Sequence, residues 1–187
     1  QALLAIPLLN TADFEAGAGF RVNGATVFPR QMAVAASGDE KLAFDAAKIT
    51  AIESRAMGVH LNFAPVADVN NNARNPVINT RSFGESPDAA SRFVAVYVRG
   101  LHAGGMLATL KHFPGHGDTD VDSHIGLPIL TQPRERLDRV ELPPFREGLA
   151  VGADAVMTGH IQLPALDPAE FSPATLSAGL CPSGCPM

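Results

Sequence analysis

Short apolar runs that each break off into charged or imidazole side chains, with a helical period between one run and the next, constrain this chain more than any other feature. Ala5 to Thr11 reads AIPLLNT and stops at Asp13 and Glu15. Val59, Leu61 and Phe63 alternate as a strand and lead to Pro65 and Asp68. Met106 to Leu110 runs straight into Lys111 and His112, and Ala155 to Thr158 (AVMT) ends at Gly159-His160. Between these runs, a helix is predicted over 37–57. Ser37 and Glu40 have capping-box spacing there, Leu42, Ala46, Ile49, Ile52 and Ala56 recur at helical intervals, and Gly58 suits a C-terminal cap. Ser86-Pro87 opens a second helix in the manner of an N-cap followed by a first-turn proline. It carries Phe93, Val94, Tyr97 and Leu101 and ends at Gly104-Gly105. Residues 133–149 read as helix with an interruption at Pro143-Pro144.

Strand–helix alternation of this kind predicts an α/β fold with a parallel sheet and helical crossovers. In such folds the carboxyl ends of the strands carry the ligand site, which is where the polar residues fall. Neither GxGxxG nor GxxxxGK[ST] occurs, so a TIM-type barrel is favoured over a nucleotide-binding doubly wound sheet. Eight units and typically about 250 residues make a full (β/α)8 barrel. The sequence supplies about four to five units in 187 residues, so the expectation is a partial barrel over 1–177 and a C-terminal tail over 178–187. An incomplete barrel leaves open sheet edges and uncovered apolar surface, and closure in a homodimer is the expected remedy.

The charge of −5 argues against a nucleic-acid partner. No apolar run approaches the roughly 20 residues of a membrane span, and none is expected. Gln1 has no charged region behind it, so the start is read as a processed or truncated boundary and not as a signal peptide. The two cysteines, Cys181 and Cys185, cannot form a disulfide framework or a four-ligand zinc site. A reducing, cytoplasmic location is the expectation.

The segment KHFPGHGDTDVDSH, Lys111 to His124, concentrates three of the six histidines and three acidic residues among glycines. A packed core has no use for such a density of polar groups, because each costs free energy when buried unpaired. Asp118, Asp120 and Asp122 match the opening of a calcium loop, but Ser123 stands where glycine is needed and Ile129 where glutamate is needed. His112 and His116 have zinc spacing, yet Pro114 and Gly115 forbid a helix between them. No metal and no cofactor is therefore expected. Acid–base chemistry fits better: Asp122 and His124 are two apart, and a carboxylate on one imidazole nitrogen leaves the other to exchange a proton near neutral pH. The polar stretch Asn70 to Glu85 is too long for a mere connection and is a second candidate functional loop.

The same segment resembles the signature of the β-N-acetylglucosaminidases of glycoside hydrolase family 3. The resemblance is supported by ADFEAG (12–17), similar to the family's acidic turn, by NFAPVADVN (62–70), by RSFG (81–84) and by PATLS (173–177). It implies a (β/α)8 barrel that removes terminal β-linked N-acetylglucosamine with retention, with chitooligosaccharide or muropeptide fragments as small carbohydrate substrates. It also implies His124 as general acid/base, Asp122 as its orienting partner, and Asp68, Arg81, Lys111, His112 and Asp13 as substrate-binding residues. Asp13 and Glu15 are the weaker candidates, because Ala16 replaces a glycine of that turn. His160 suits a structural or a ligand-facing position equally, and His60 and His102 are assigned no function.

Retaining hydrolysis also needs a carboxylate nucleophile. The family's lies on a later strand, beyond PATLS, and the residues after Ser177 hold no carboxylate. Two readings follow: an enzyme with a surrogate carboxylate among Asp13, Glu15 and Asp154, or a sugar-binding remnant. A phosphorylase and an unrelated metal-dependent hydrolase are the further alternatives.

Overall fold

Four parallel strands lie side by side in chain order in the computed structural model, which describes residues 6–166. They are β1 (Thr11–Ala12), β2 (Leu61–Asn62), β3 (Leu107–Phe113) and β4 (Ala155–Thr158). Thr11 pairs with Leu61, Leu61 with Leu107, and Thr109 with Ala155. The helices between them are α1 (Gln31–Ala36) and α2 (Glu40–Ala56), then α3 (Pro87–Ala103), then α4 (Arg134–Arg139) and α5 (Pro143–Ala150). A doubly wound sheet requires a reversal of strand order at its ligand site. Here each strand follows its predecessor in one direction, which is the wall of a (β/α) barrel. The PATLS segment, both cysteines and the tail over 178–187 lie outside the described residues.

The helix signals hold in part. Ser86 caps α3, its Oγ accepting from Ala89 N at 3.4 Å, with Pro87 in the first turn and Gly104 at the end. In α2 the cap is Asp39, which accepts from Lys41 N at 2.9 Å, and the predicted Ser37 instead donates to Val34 O. The helix expected over 133–149 is interrupted as predicted, breaking into α4 and α5, and the Pro143-Pro144 pair begins α5, since a proline is tolerated in a first turn where no N–H partner is needed. Only the end of the 5–11 run pairs as a strand, and Ile6, Leu8 and Leu9 are exposed.

The inward face of α2 differs from the expected one. Leu42, Ile49 and Ile52 are exposed, whereas Ala43, Ala46, Ala47, Thr50, Ala51 and Ser54 are buried. Helix α3 explains this, because it approaches through Gly100 and Gly104. A Cβ on Gly100 would lie 2.7 Å from Ala47 Cβ, and one on Gly104 would lie 2.4 Å from Ala51 Cβ. At such a separation only small side chains fit between the helices. Phe83, Phe93, Tyr97, Leu101, Leu110 and Phe145 fill the layer between helices and sheet. A smaller cluster of Leu130, Leu137, Leu142, Ile161 and Leu163 anchors the chain on either side of α4 and after β4.

Candidate active site

Asp13 and Glu15 after β1, Lys111 and His112 at the end of β3, and Thr158 to His160 at the end of β4 line one cavity of about 540 Å³. The cavity therefore sits at the carboxyl ends of the strands. Two buried amides fix its walls. The Asn62 side chain accepts from Phe14 N at 3.0 Å and donates to Phe14 O at 3.2 Å, pinning the turn that bears Asp13 and Glu15. Gln31 forms the same paired contact with the backbone of Val66, both bonds at 3.0 Å.

Lys111 alternates with core-facing Leu110, so its side chain leaves the opposite face of the sheet. It is 2 % exposed, and Nζ donates to Asp13 at 2.6 Å and reaches Glu15 Oε1 at 2.7 Å. A buried ammonium is tolerable only when paired in this way. Arg81, from the short 3-10 turn Asn79–Arg81, donates to both Glu15 oxygens at 2.9 and 2.7 Å. Burial pushes the Glu15 carboxyl up, but the Arg81 hydrogen bond and the charges of Lys111 and Arg81 outweigh it and hold the group down at about 2. Glu15, a weaker candidate from sequence, is thus the hub of the cluster.

His112 sits at a bulge. Lys111 pairs with Met157 and Phe113 with Thr158, so His112 is the extra residue of β3, and the Lys111-His112 peptide is cis. Bulges re-aim side chains beside active sites. The Asp68 carboxylate lies beneath, fully buried. It accepts from His112 N, from His112 Nδ1 at 2.7 Å and from His116 N at 2.6 Å. Burial raises the Asp68 carboxyl, and the His112 charge and these donors overcome that to lower it. With Nδ1 turned to Asp68, the His112 ring places Nε2 3.4 Å from Arg81 Nη2. Asp68, expected as a substrate-binding residue, is buried here with both oxygens accepting from His112 and His116.

The glycines of the histidine loop are sterically required. A Cβ on Gly117 would stand 1.7 Å from Val69 O, and one on Gly115 would stand 2.8 Å from Glu141 Cβ. Asn75 holds the same turn, donating to His116 O at 2.7 Å and Gly117 O at 3.1 Å. His116, given no role of its own from sequence, is buried and lines the cavity. Its Nδ1 meets Thr119 Oγ1 at 2.6 Å, and burial lowers its proton affinity. The His112 and His116 rings meet edge to face, and among the described residues no three potential metal ligands converge.

Asp122 Oδ1 accepts from His124 N at 2.9 Å and from His124 Nδ1 at 2.7 Å. The backbone bond and then the side-chain bond hold the Asp122 carboxyl below its usual range. The imidazole is 82 % exposed and lines the cavity. His160 also lines the cavity. Of the surrogate carboxylates, Asp154 precedes β4 and is bound to His102 Nε2 at 2.8 Å and to Ala108 N, away from the cavity. Phe20, Arg21 and Arg30 also line the cavity. No local pattern marks them, because they reach the cavity through the connection from β1 to α1.

Residues 1–181 match the model of the glycosyl hydrolase family 3 N-terminal domain. The chain is 40% identical over 173 residues to β-hexosaminidase A of Pseudoalteromonas piscicida and 42% identical over 175 residues to the β-hexosaminidase of Xylella fastidiosa (strain 9a5c). Each match covers 89% of this chain but only 29% and 52% of the relative, so the chain spans about half or less of their length. The structure of a family 3 β-N-acetylglucosaminidase from Paenibacillus sp. str. FPU-7 superposes with a TM-score of 0.86 at 51% identity, over 89% of this chain and 32% of that one. NagZ from Neisseria gonorrhoeae, in complex with N-trifluoroacetyl-D-glucosamine, superposes with a TM-score of 0.77 at 34% identity, over 84% and 48%. The parallel wall of strands, the charged cavity at its carboxyl end and these likenesses agree, and the chain belongs to glycosyl hydrolase family 3, within its N-terminal domain.

Proposed function

We propose that this chain carries the sugar-holding and acid/base part of a β-N-acetylglucosaminidase acting on terminal β-linked N-acetylglucosamine. The observation that carries the reading is the Asp122–His124 contact at 2.7 Å on a loop lining the same cavity as Lys111, Arg81 and His112. Asp122 fixes the proton on Nδ1, and His124 Nε2 delivers a proton to the leaving oxygen and later recovers one from water. His112 and the outer edge of Asp13 meet sugar hydroxyls, while Lys111 and Arg81 hold the acceptors in place. The names of the relatives and the sugar analogue bound to the N. gonorrhoeae protein support an N-acetylglucosaminide as substrate.

None of the three candidate surrogates suits the nucleophile. Glu15 is buried between cations and its low proton affinity makes it a weak one, Asp154 is remote, and Asp13 is held by Lys111. Among the described residues no helix is long and apolar enough to cross a membrane, and a reducing compartment suits the low cysteine count. Hydrolysis of p-nitrophenyl β-N-acetylglucosaminide, with His124→Ala as control, tests the enzyme reading. Turnover that survives His124→Ala refutes the assigned acid. No turnover, together with a melting temperature raised by N-acetylglucosamine, converts the reading to a sugar-binding remnant.

A further inference from the structure

The segment that carries Asp122 and His124 has little packing of its own, since no residue from 120 to 127 is buried. It is tethered at both ends, and both tethers lead to α4. On the near side Thr119 is buried, with Oγ1 2.6 Å from His116 Nδ1 and 3.0 Å from His116 O. Beside it, Asp118 accepts from Gln132 Nε2 at 3.1 Å and lies 3.6 Å from Arg136 Nη2. On the far side Leu130 donates its N–H to Gln162 O at 2.9 Å and joins the buried cluster that holds Leu137. Arg136 and Leu137 are neighbours, so one turn of α4 serves both ends. Asp120 is also bound, by Asn72 and by Arg74 Nη2 at 3.1 Å. That clamp is weak, because Arg74 is 81% and Asp120 52% exposed and water screens the pair.

Arg136 is itself fixed from behind. Its Nη1 donates to both Glu141 oxygens, at 2.7 and 2.8 Å, and Glu141 is 1% exposed, packed against Gly115 of the histidine loop. Glu141 Oε1 also accepts from Asn71 Nδ2 at 3.2 Å, which ties in the stretch from Asn70 to Glu85. Burial raises the Glu141 carboxyl, and the Arg136 charge and hydrogen bonds pull against that. Two carboxylates face one guanidinium here, so Arg136 is fully matched by Asp118 and Glu141. A buried ion pair is seldom the most stable filling for such a space, since well-packed apolar residues serve as well. What it supplies is direction: a rigid guanidinium held on one edge by a buried carboxylate presents its other edge at a set place. That edge faces Asp118, four residues before Asp122.

We infer that Arg136, backed by Glu141, is a positioning residue that acts through Asp118 to hold the Asp122–His124 pair at the cavity. It touches neither the sugar nor the reacting atoms, and the inference rests on the acid/base reading of His124. NMR of the His124 ring nitrogens in the 187-residue chain follows the Asp122 contact without any need of turnover, with Asp122→Asn marking its loss. Asp118→Ala cuts the tether while leaving the Arg136–Glu141 pair intact, so the fold is not put at risk, and Arg136→Gln cuts it from the other side. Both variants are expected to move the His124 resonances toward those of Asp122→Asn, while Arg74→Gln on the exposed clamp leaves them in place. Unmoved resonances in Asp118→Ala with a native circular dichroism spectrum overturn the inference, as does an equal movement in Arg74→Gln. Hydrolysis of phenyl and p-nitrophenyl β-N-acetylglucosaminide gives the second readout. A misplaced acid costs the poorer leaving group, phenol, about tenfold more than p-nitrophenol, whereas partial unfolding lowers both rates alike. An equal loss on the two substrates overturns the inference. Turnover that survives His124→Ala defeats the acid/base reading instead, and in a chain without turnover the resonances alone decide.

Discussion

Replacing Glu15 with glutamine removes the one carboxylate on which Lys111, Arg81 and Arg30 converge. The size of the effect follows from its ionisation. The carboxyl is held at about 2 in the folded chain against 4.5 as its ordinary value. Each unit corresponds to about 1.4 kcal/mol, so the folded state gains about 3 kcal/mol from ionised Glu15. The sign is that of a depressed acid. Between pH 4.5 and about 2 the unfolded chain binds more protons than the folded one, so stability rises with pH through that window. The contribution is complete above 4.5 and is lost as pH falls toward 2. In Glu15→Gln, Arg81 loses the ionic contact and one of its two acceptors while Lys111 keeps Asp13. Breaking a buried pair in this way costs about 3–5 kcal/mol, and the remaining Asp13 contact favours the lower end. Urea unfolding followed by circular dichroism from about pH 2 to 7 measures both quantities. The variant is expected to be weaker by about 3 kcal/mol at neutral pH and to lose most of the wild-type acid dependence. A variant within about 1 kcal/mol of wild type at pH 7, with an unchanged acid limb, would refute the argument that Glu15 is the ionised hub.

Other perturbations probe the loop and the surface. Gly117→Ala places a Cβ 1.7 Å from Val69 O. It is expected to cost about 3 kcal/mol or more, since the clash is with backbone, and a melting temperature equal to wild type would contradict the loop geometry. Asn75→Ala removes donors to His116 O and Gly117 O and the acceptor for Val77 N and Ile78 N. Stranding these buried groups costs about 3 kcal/mol, read from the denaturation midpoint, and a loss below about 1 kcal/mol would show that another group holds the turn. Exposed Leu42, Ile49 and Ile52, together with the outer edges of β1 and β4, predict self-association of the isolated chain, as first expected from the partial barrel. A monomer mass by sedimentation at micromolar concentration would rule that out.

Much of the fold was legible locally because its signals are local. Ser86-Pro87 specifies a helix start through its own hydroxyl and ring, and AVMT declares a short strand by composition. The cluster from Lys111 to His124 was legible because a density of titratable groups among glycines has few structural uses. The face of α2 was not, because the choice between its leucine–isoleucine side and its alanine side was made by Gly100 and Gly104 on another helix. Nor was the division of labour among the acids. Asp68 and Glu15 are similar residues after similar strands, yet one accepts from His112 and His116 and the other joins three cations.

The amino-acid sequence by itself determined the alternation of strands and helices, the end of the sheet at which chemistry gathers and the pairing of Asp122 with His124, all of which depend on residues near one another in the chain. Tertiary structure alone decided which cations each carboxylate meets, how His112 and His116 are held and that Arg21 and Arg30 reach the cavity. Charge compensation depends on distance in space, and Glu15, Arg81 and Lys111 are neighbours only after β1 and β3 are brought to the same sheet.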